Sequence, residues 1–288
     1  MAKIRKVISP SAKDHRRAKL PHKRRFAWVK DRPARPSRTS APAAAEIDTR
    51  WVTVHTGHSF VRHSKYHLLA DSGVGQPQLG HKSGNGFANT TDREAESLAE
   101  HLRLSEKYSK VHFMARHIDF ISQILDPTQL KAILDKNPDV ILVNGGTNEM
   151  SNFISPPTEF QILQLAGQLR SLAQKVPSDI KVVCMGMVPR DGRSYLSEEQ
   201  FRAGMKVFND TLQAFHDAAL SGTPPTNFRY FKMAGWEYQD NNGVKQERPI
   251  SDWADERRIH PRPHMFITKY AKSVRDALLA PKNKPAKN

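Results

Sequence analysis

The chain has 288 residues, with one cysteine, 38% hydrophobic and 8% aromatic residues, and a formal net charge of +16. That length suits one large domain or two small ones with a true core, and a lone Cys184 excludes an internal disulfide, which fits a reducing compartment. Apolar runs such as "VILV" at 140–143 are too short to cross a bilayer and the N-terminus carries no apolar signal stretch, so the expectation is an intracellular protein, cytoplasmic or nuclear, with no membrane segment.

Residues 1–46 open the chain with a basic stretch that becomes rich in Pro, Ala and Ser. Residues 1–40 hold fourteen Lys and Arg against two Asp, so +12 of the total +16 sits there and only +4 remains for the rest. This composition buries too little apolar area to offset chain entropy, and it predicts a disordered leader. The leader fits contact with nucleic acid through residues 1–40, with Phe26 and Trp28 beside "HKRR" as candidate stacking groups, or nuclear import. A plain solubilising role is the bland alternative.

From there the pattern alternates. A strand is predicted over 50–56 and a helix over 60–70. Residues 71–91 form a Gly-rich loop that lacks the spacing of a phosphate-binding loop. A helix over 92–106, a strand over 110–115 and a helix over 127–136 follow. "DVILVNGG" at 139–146 reads as a central strand, then come a helix over 157–175 and a strand over 180–188. A long helix over 197–220, with Phe201, Met205, Phe208, Leu212 and Phe215 as its core stripe, precedes a strand over 227–233 and a last helix over 263–280. Alternation of this kind predicts an α/β domain over 47–280, with a parallel sheet covered on both faces and a short basic tail at 281–288.

Ligands on such a sheet gather at the carboxyl ends of the strands. Ser59 follows the first strand in "TGHSF", Asn148 follows the central strand in "NGGTNEM", and His260 precedes the last helix in "RRIHPRP". A hydroxyl, an amide and an imidazole on one edge are what acyl transfer uses: nucleophile, oxyanion donor and base. Each also has an ordinary reading. Ser59 fits a helix N-cap, Asn148 a turn residue after two glycines, and His260 a surface histidine, with His264 as a rival base. His55, His58, His63 and His67 are dense, but no cysteine or carboxylate cluster completes a zinc site around them.

On these residues the chain resembles the SGNH (GDSL-type) hydrolases over about residues 50–280. Gly57-His58-Ser59-Phe60 stands where the family has Gly-Asp-Ser-Leu, Gly146-Thr147-Asn148-Glu149 where it has Gly-x-Asn-Asp, and His260-Pro261 at its terminal histidine block. The resemblance is nearest to divergent animal forms, some of them carried by mobile elements. It implies a three-layer α/β/α sandwich with a flavodoxin-like sheet and no cofactor or metal. It implies Ser59 as nucleophile, His260 as base, and Asn148 with the Ser59 N–H at the oxyanion, and it carries Gly146 into the site. Two departures stand out. Arg257 occupies the place of the family's orienting Asp, which leaves Asp255 as the available acid, and "FMARHIDF" offers Ala115, Arg116 and His117 where the family has a glycine. The reading is a serine esterase of small acyl esters with an incomplete triad. Arginines at 116 and 257 lining the pocket would favour an anionic ligand instead. The alternative is a catalytically dead SGNH-like scaffold whose basic leader contacts nucleic acid.

Overall fold

A computed structural model of the protein describes residues 48–73, 90–115, 120–190, 195–233, 237–247, 249–256 and 258–280. The leader at 1–46, most of the Gly-rich loop, Arg116, His117, Arg257 and the tail at 281–288 lie outside the described residues.

In chain order the elements are β1 (Trp51–Gly57), α1 (Ser59–Asp71), α2 (Asp92–His101), β2 (Tyr108–Ala115), α3 (Ile121–Ile124), α4 (Pro127–Leu134) and β3 (Val140–Asn144). Then come α5 (Thr147–Ser151), α6 (Glu159–Lys175), β4 (Lys181–Met185), α7 (Glu198–Leu220) and β5 (Phe228–Phe231). A small antiparallel hairpin, β6 (Glu237–Gln239) with β7 (Lys245–Glu247), precedes α8 (Ile250–Trp253). The chain closes with α9 (Pro263–Met265), a π-helical turn over Phe266–Tyr270, and α10 (Ala271–Leu279).

The five main strands pair in parallel in the order β2-β1-β3-β4-β5. This is the flavodoxin-like order, with its topological switch between β1 and β3. Alternate residues of each strand point to opposite faces, and each face is apolar. Val111, Phe113, Leu142, Val183 and Met185 pack towards α1, α2 and α10. Val54, Met114, Ile141, Val143, Val182 and Cys184 pack towards α4, α6 and α7, where Phe201, Met205, Phe208 and Leu212 of the long helix are buried. The predicted parallel sheet in a three-layer sandwich is therefore the observed architecture. Among the described residues no helix is long and apolar enough to cross a membrane.

Several boundaries differ from the sequence expectation, each for a local reason. The helix predicted over 92–106 stops at His101, because Arg103 takes a left-handed φ of 55° and Leu104 N–H returns to Ala99 C=O at 2.8 Å. The last helix is interrupted by the π turn, which seats Tyr270 beneath the sheet edge. Asn148, read as a post-strand turn residue, lies in the first turn of α5.

The register sets up the site. Gly57 is level with Ala115 on one side and Asn144 on the other, so β1, β2 and β3 end together. Gly57 has φ +148°, and a Cβ there would sit 1.9 Å from the Asn144 carbonyl oxygen. No side chain fits so close to a backbone atom, so only glycine lets β1 run this tightly beside β3 into the turn before Ser59.

Candidate active site

Ser59 is the first helical residue of α1, not its cap. The cap is His58, whose ring Nδ1 accepts from Phe60 N–H at 3.2 Å. The capping role that the sequence allowed for Ser59 is thereby taken by its neighbour, and the Ser59 hydroxyl is left to point elsewhere. It points at His260: Ser59 Oγ and His260 Nε2 are 2.8 Å apart. Ser59 is only 5% exposed. Its own N–H belongs to the first turn of a helix, where backbone donors have no intrahelical acceptor.

His260 reaches this position through a sharply folded segment. Ala254 bridges Pro261 in antiparallel fashion, Arg258 adopts φ 54°, and Asp255 N–H donates to His260 C=O at 2.7 Å. This reversal brings Asp255 under the ring although the two are five positions apart in the chain. Asp255 Oδ2 lies 3.6 Å from His260 Nδ1, a loose approach rather than a tight hydrogen bond. Its other oxygen accepts from Ile259 N–H at 3.0 Å and His260 N–H at 3.4 Å, so the carboxylate also holds the loop. Removing it should therefore cost little in rate. Asp255→Asn is expected to lower kcat about tenfold, well below the ~10⁴-fold known for a tightly bonded triad acid; a steady-state assay at pH 8 measures it.

Burial is the main force that pushes the His260 pKa well below the ordinary histidine value, and His63 and Arg190 add to it against Asp255. The His63 ring stacks on His260 with centroids 4.3 Å apart and planes 30° off parallel. At neutral pH His260 is thus a neutral imidazole, able to accept the serine proton.

Gly146 caps α5 with φ +96°, and a Cβ there would come within 2.7 Å of Phe208 Cζ and 2.9 Å of Met187 Cε. It lets the chain turn straight from β3 into the helix that carries Asn148. Asn148 is 9% exposed, and its Oδ1 accepts from Arg190 Nη1 at 3.0 Å. Glu149 beside it is largely buried; desolvation raises its pKa, and it accepts from Ile121 N–H, tying α5 to α3.

Below this floor lies a buried polar chain that the sequence reading assigned no role. A carbonyl only accepts, so His55 Nδ1 donates to Leu142 C=O at 3.1 Å, and Nε2 then accepts from Tyr270 O–H at 2.9 Å. Tyr270 in turn accepts from Asn144 Nδ2 at 3.3 Å. Arg190 is the other residue that sequence reasoning passed over, because "MVPRDG" matches no motif.

No family model matches the sequence, and no curated protein matches it. The fold does have solved neighbours at low sequence identity, and what they share with this chain is the three-layer α/β/α fold. Two catalytic mutants of an acetylxylan esterase from Geobacillus stearothermophilus superpose with TM-scores of 0.52 and 0.51, each at 11% identity over 81% of this chain and 96% of that one. A GDSL-like lipase from Bacteroides thetaiotaomicron VPI-5482 gives a TM-score of 0.46 at 11% identity, over 81% of this chain and 92% of that one.

Proposed function

We propose that the chain is an SGNH-type serine esterase acting on a small acyl ester. The observation that carries this reading is the 2.8 Å contact between the Ser59 hydroxyl and His260 Nε2 at the carboxyl edge of a parallel sheet. As the Ser59 oxygen bonds to the ester carbonyl carbon, its proton passes to Nε2. The carbonyl electrons move onto oxygen, and that oxyanion meets the Ser59 N–H and the Asn148 NH₂. Collapse re-forms the carbonyl and expels the alkoxide, which takes the proton from Nε2. Water, activated by the same imidazole, then releases the acid and restores Ser59. Asp255 helps orient the ring. The slight exposure of Ser59 favours a short acyl group such as acetyl.

A fluorophosphonate probe tests the nucleophile without knowledge of the natural substrate. One adduct per chain is expected, mapped to the peptide that contains Ser59 and missing from His260→Ala. A protein that stays unlabelled and turns over no p-nitrophenyl acetate refutes the esterase reading and favours the scaffold.

A further inference from the structure

Arg190 sits in the segment after β4, the neighbour of β3 in the sheet, so the topology delivers it to the strand end from which α5 departs. It is 7% exposed, and its Nη1 bonds the Asn148 carbonyl oxygen. We propose that Arg190 is the positioning residue of the oxyanion side: it holds Asn148 by Oδ1 and thereby presents the amide NH₂ to the reacting oxygen.

The reason is the chemistry of the two groups. A guanidinium only donates, whereas an amide has one accepting end and one donating end of nearly equal shape. Without a fixed neighbour the two orientations of Asn148 differ little. With Arg190 in place, the flipped amide would set donor against donor inside a buried site, so one orientation is retained. An oxyanion hole works because its donors are aimed before the charge develops. Arg190 adds a second effect, since its positive charge favours neutral His58 and neutral His260.

The inference rests on the esterase reading of Ser59, and kinetics separate the two. Relative to the wild type, Arg190→Ala is expected to lower kcat about 10²-fold, as for loss of one oxyanion donor, with KM within about threefold. Millimolar guanidinium chloride should restore part of it. Arg190→Lys, which keeps a cation and a donor, should retain about a tenth of kcat or more. The acid limb of the kcat/KM profile should move to higher pH in Arg190→Ala, because a charge that disfavoured the imidazolium is gone. In an Asn148→Ala background the Arg190→Ala change should cost nothing further in kcat at pH 8, where the histidines are neutral with or without Arg190 and only the shared amide is at stake. Asn148→Asp keeps the shape and the partner but has no NH₂ to give, so it should stay folded and lose kcat about 10²-fold.

Additive losses in the double variant, or wild-type kcat in Asn148→Asp, would overturn the positioning role while leaving the Ser59 reading intact. Turnover that Ser59→Ala leaves unchanged would overturn both.

Discussion

Ester turnover is expected to fall by about 10³-fold or more in Ser59→Ala, and equally in His260→Ala. The two side chains form one unit through the 2.8 Å contact, so the double variant should be no worse than either single one. Stability should separate cleanly from chemistry. Because His58 and not Ser59 caps α1, Ser59→Ala leaves the helix start intact. It removes one hydroxyl whose loss costs about 1 kcal/mol, so the melting temperature should move by only a few degrees. His58→Ala is the matching control: it removes the cap together with a buried ring that packs edge-on against Phe60, costs about 3 kcal/mol, and keeps the nucleophile. Steady-state rates and thermal melts on the three single variants and the double variant measure this. A Ser59→Ala protein that unfolds, or one that still turns over ester, defeats the assignment.

What could be seen in the sequence divides along a physical line. Continuous apolar runs such as Val140–Asn144 encode strands buried on both faces, and their alternation with helices made the sheet and its parallel sense legible. Ser59, Gly146, Asn148 and His260 stood out because each follows or precedes a readable element. Contacts made by chain reversal are a different matter. Asp255 lies near His260 only because Arg258 adopts a left-handed φ and Ala254 meets Pro261, and nothing in the spacing announces that fold-back. The π turn within the last helix was hidden for a similar reason. Its sequence is ordinarily helical, and its consequence is the long-range bond from Tyr270 to His55. Arg190 was invisible because a lone arginine in a loop carries no signal until its neighbour across the sheet is known. The short elements α3, α5 and the β6–β7 hairpin are shorter than the windows in which periodicity can be counted.

The same buried polar groups predict a steep acid instability. His55 and His112 are held down to about 4 and His58 to about 3, in each case chiefly by burial. An ordinary histidine titrates near 6.5, so below that pH the unfolded chain binds protons that the folded chain refuses. Stability from these groups is therefore complete above about pH 6.5 and is lost as pH falls towards the folded values. Each contributes a slope that is half developed at pH 6.5 and approaches about 1.4 kcal/mol per pH unit near pH 5, so the three, with His260 held down by the same burial, approach about 5 kcal/mol per unit there, above the range in which ordinary carboxylates titrate. The bonding at His55 shows the cause. Its Nε2 accepts from Tyr270 while Nδ1 donates to Leu142, so protonation would place two donors face to face in the core. His55→Asn, which has a donor near the Nδ1 position and no titration, should reduce the slope by about one quarter while lowering stability at pH 7 through lost contact with Phe113 and Tyr270. Urea midpoints at pH 7, 6 and 5 provide the measurement. Midpoints that stay level across that range would mean that these histidines take up protons in the folded protein as readily as in the unfolded chain, with His55 Nε2 donating to the Tyr270 oxygen instead of accepting from it.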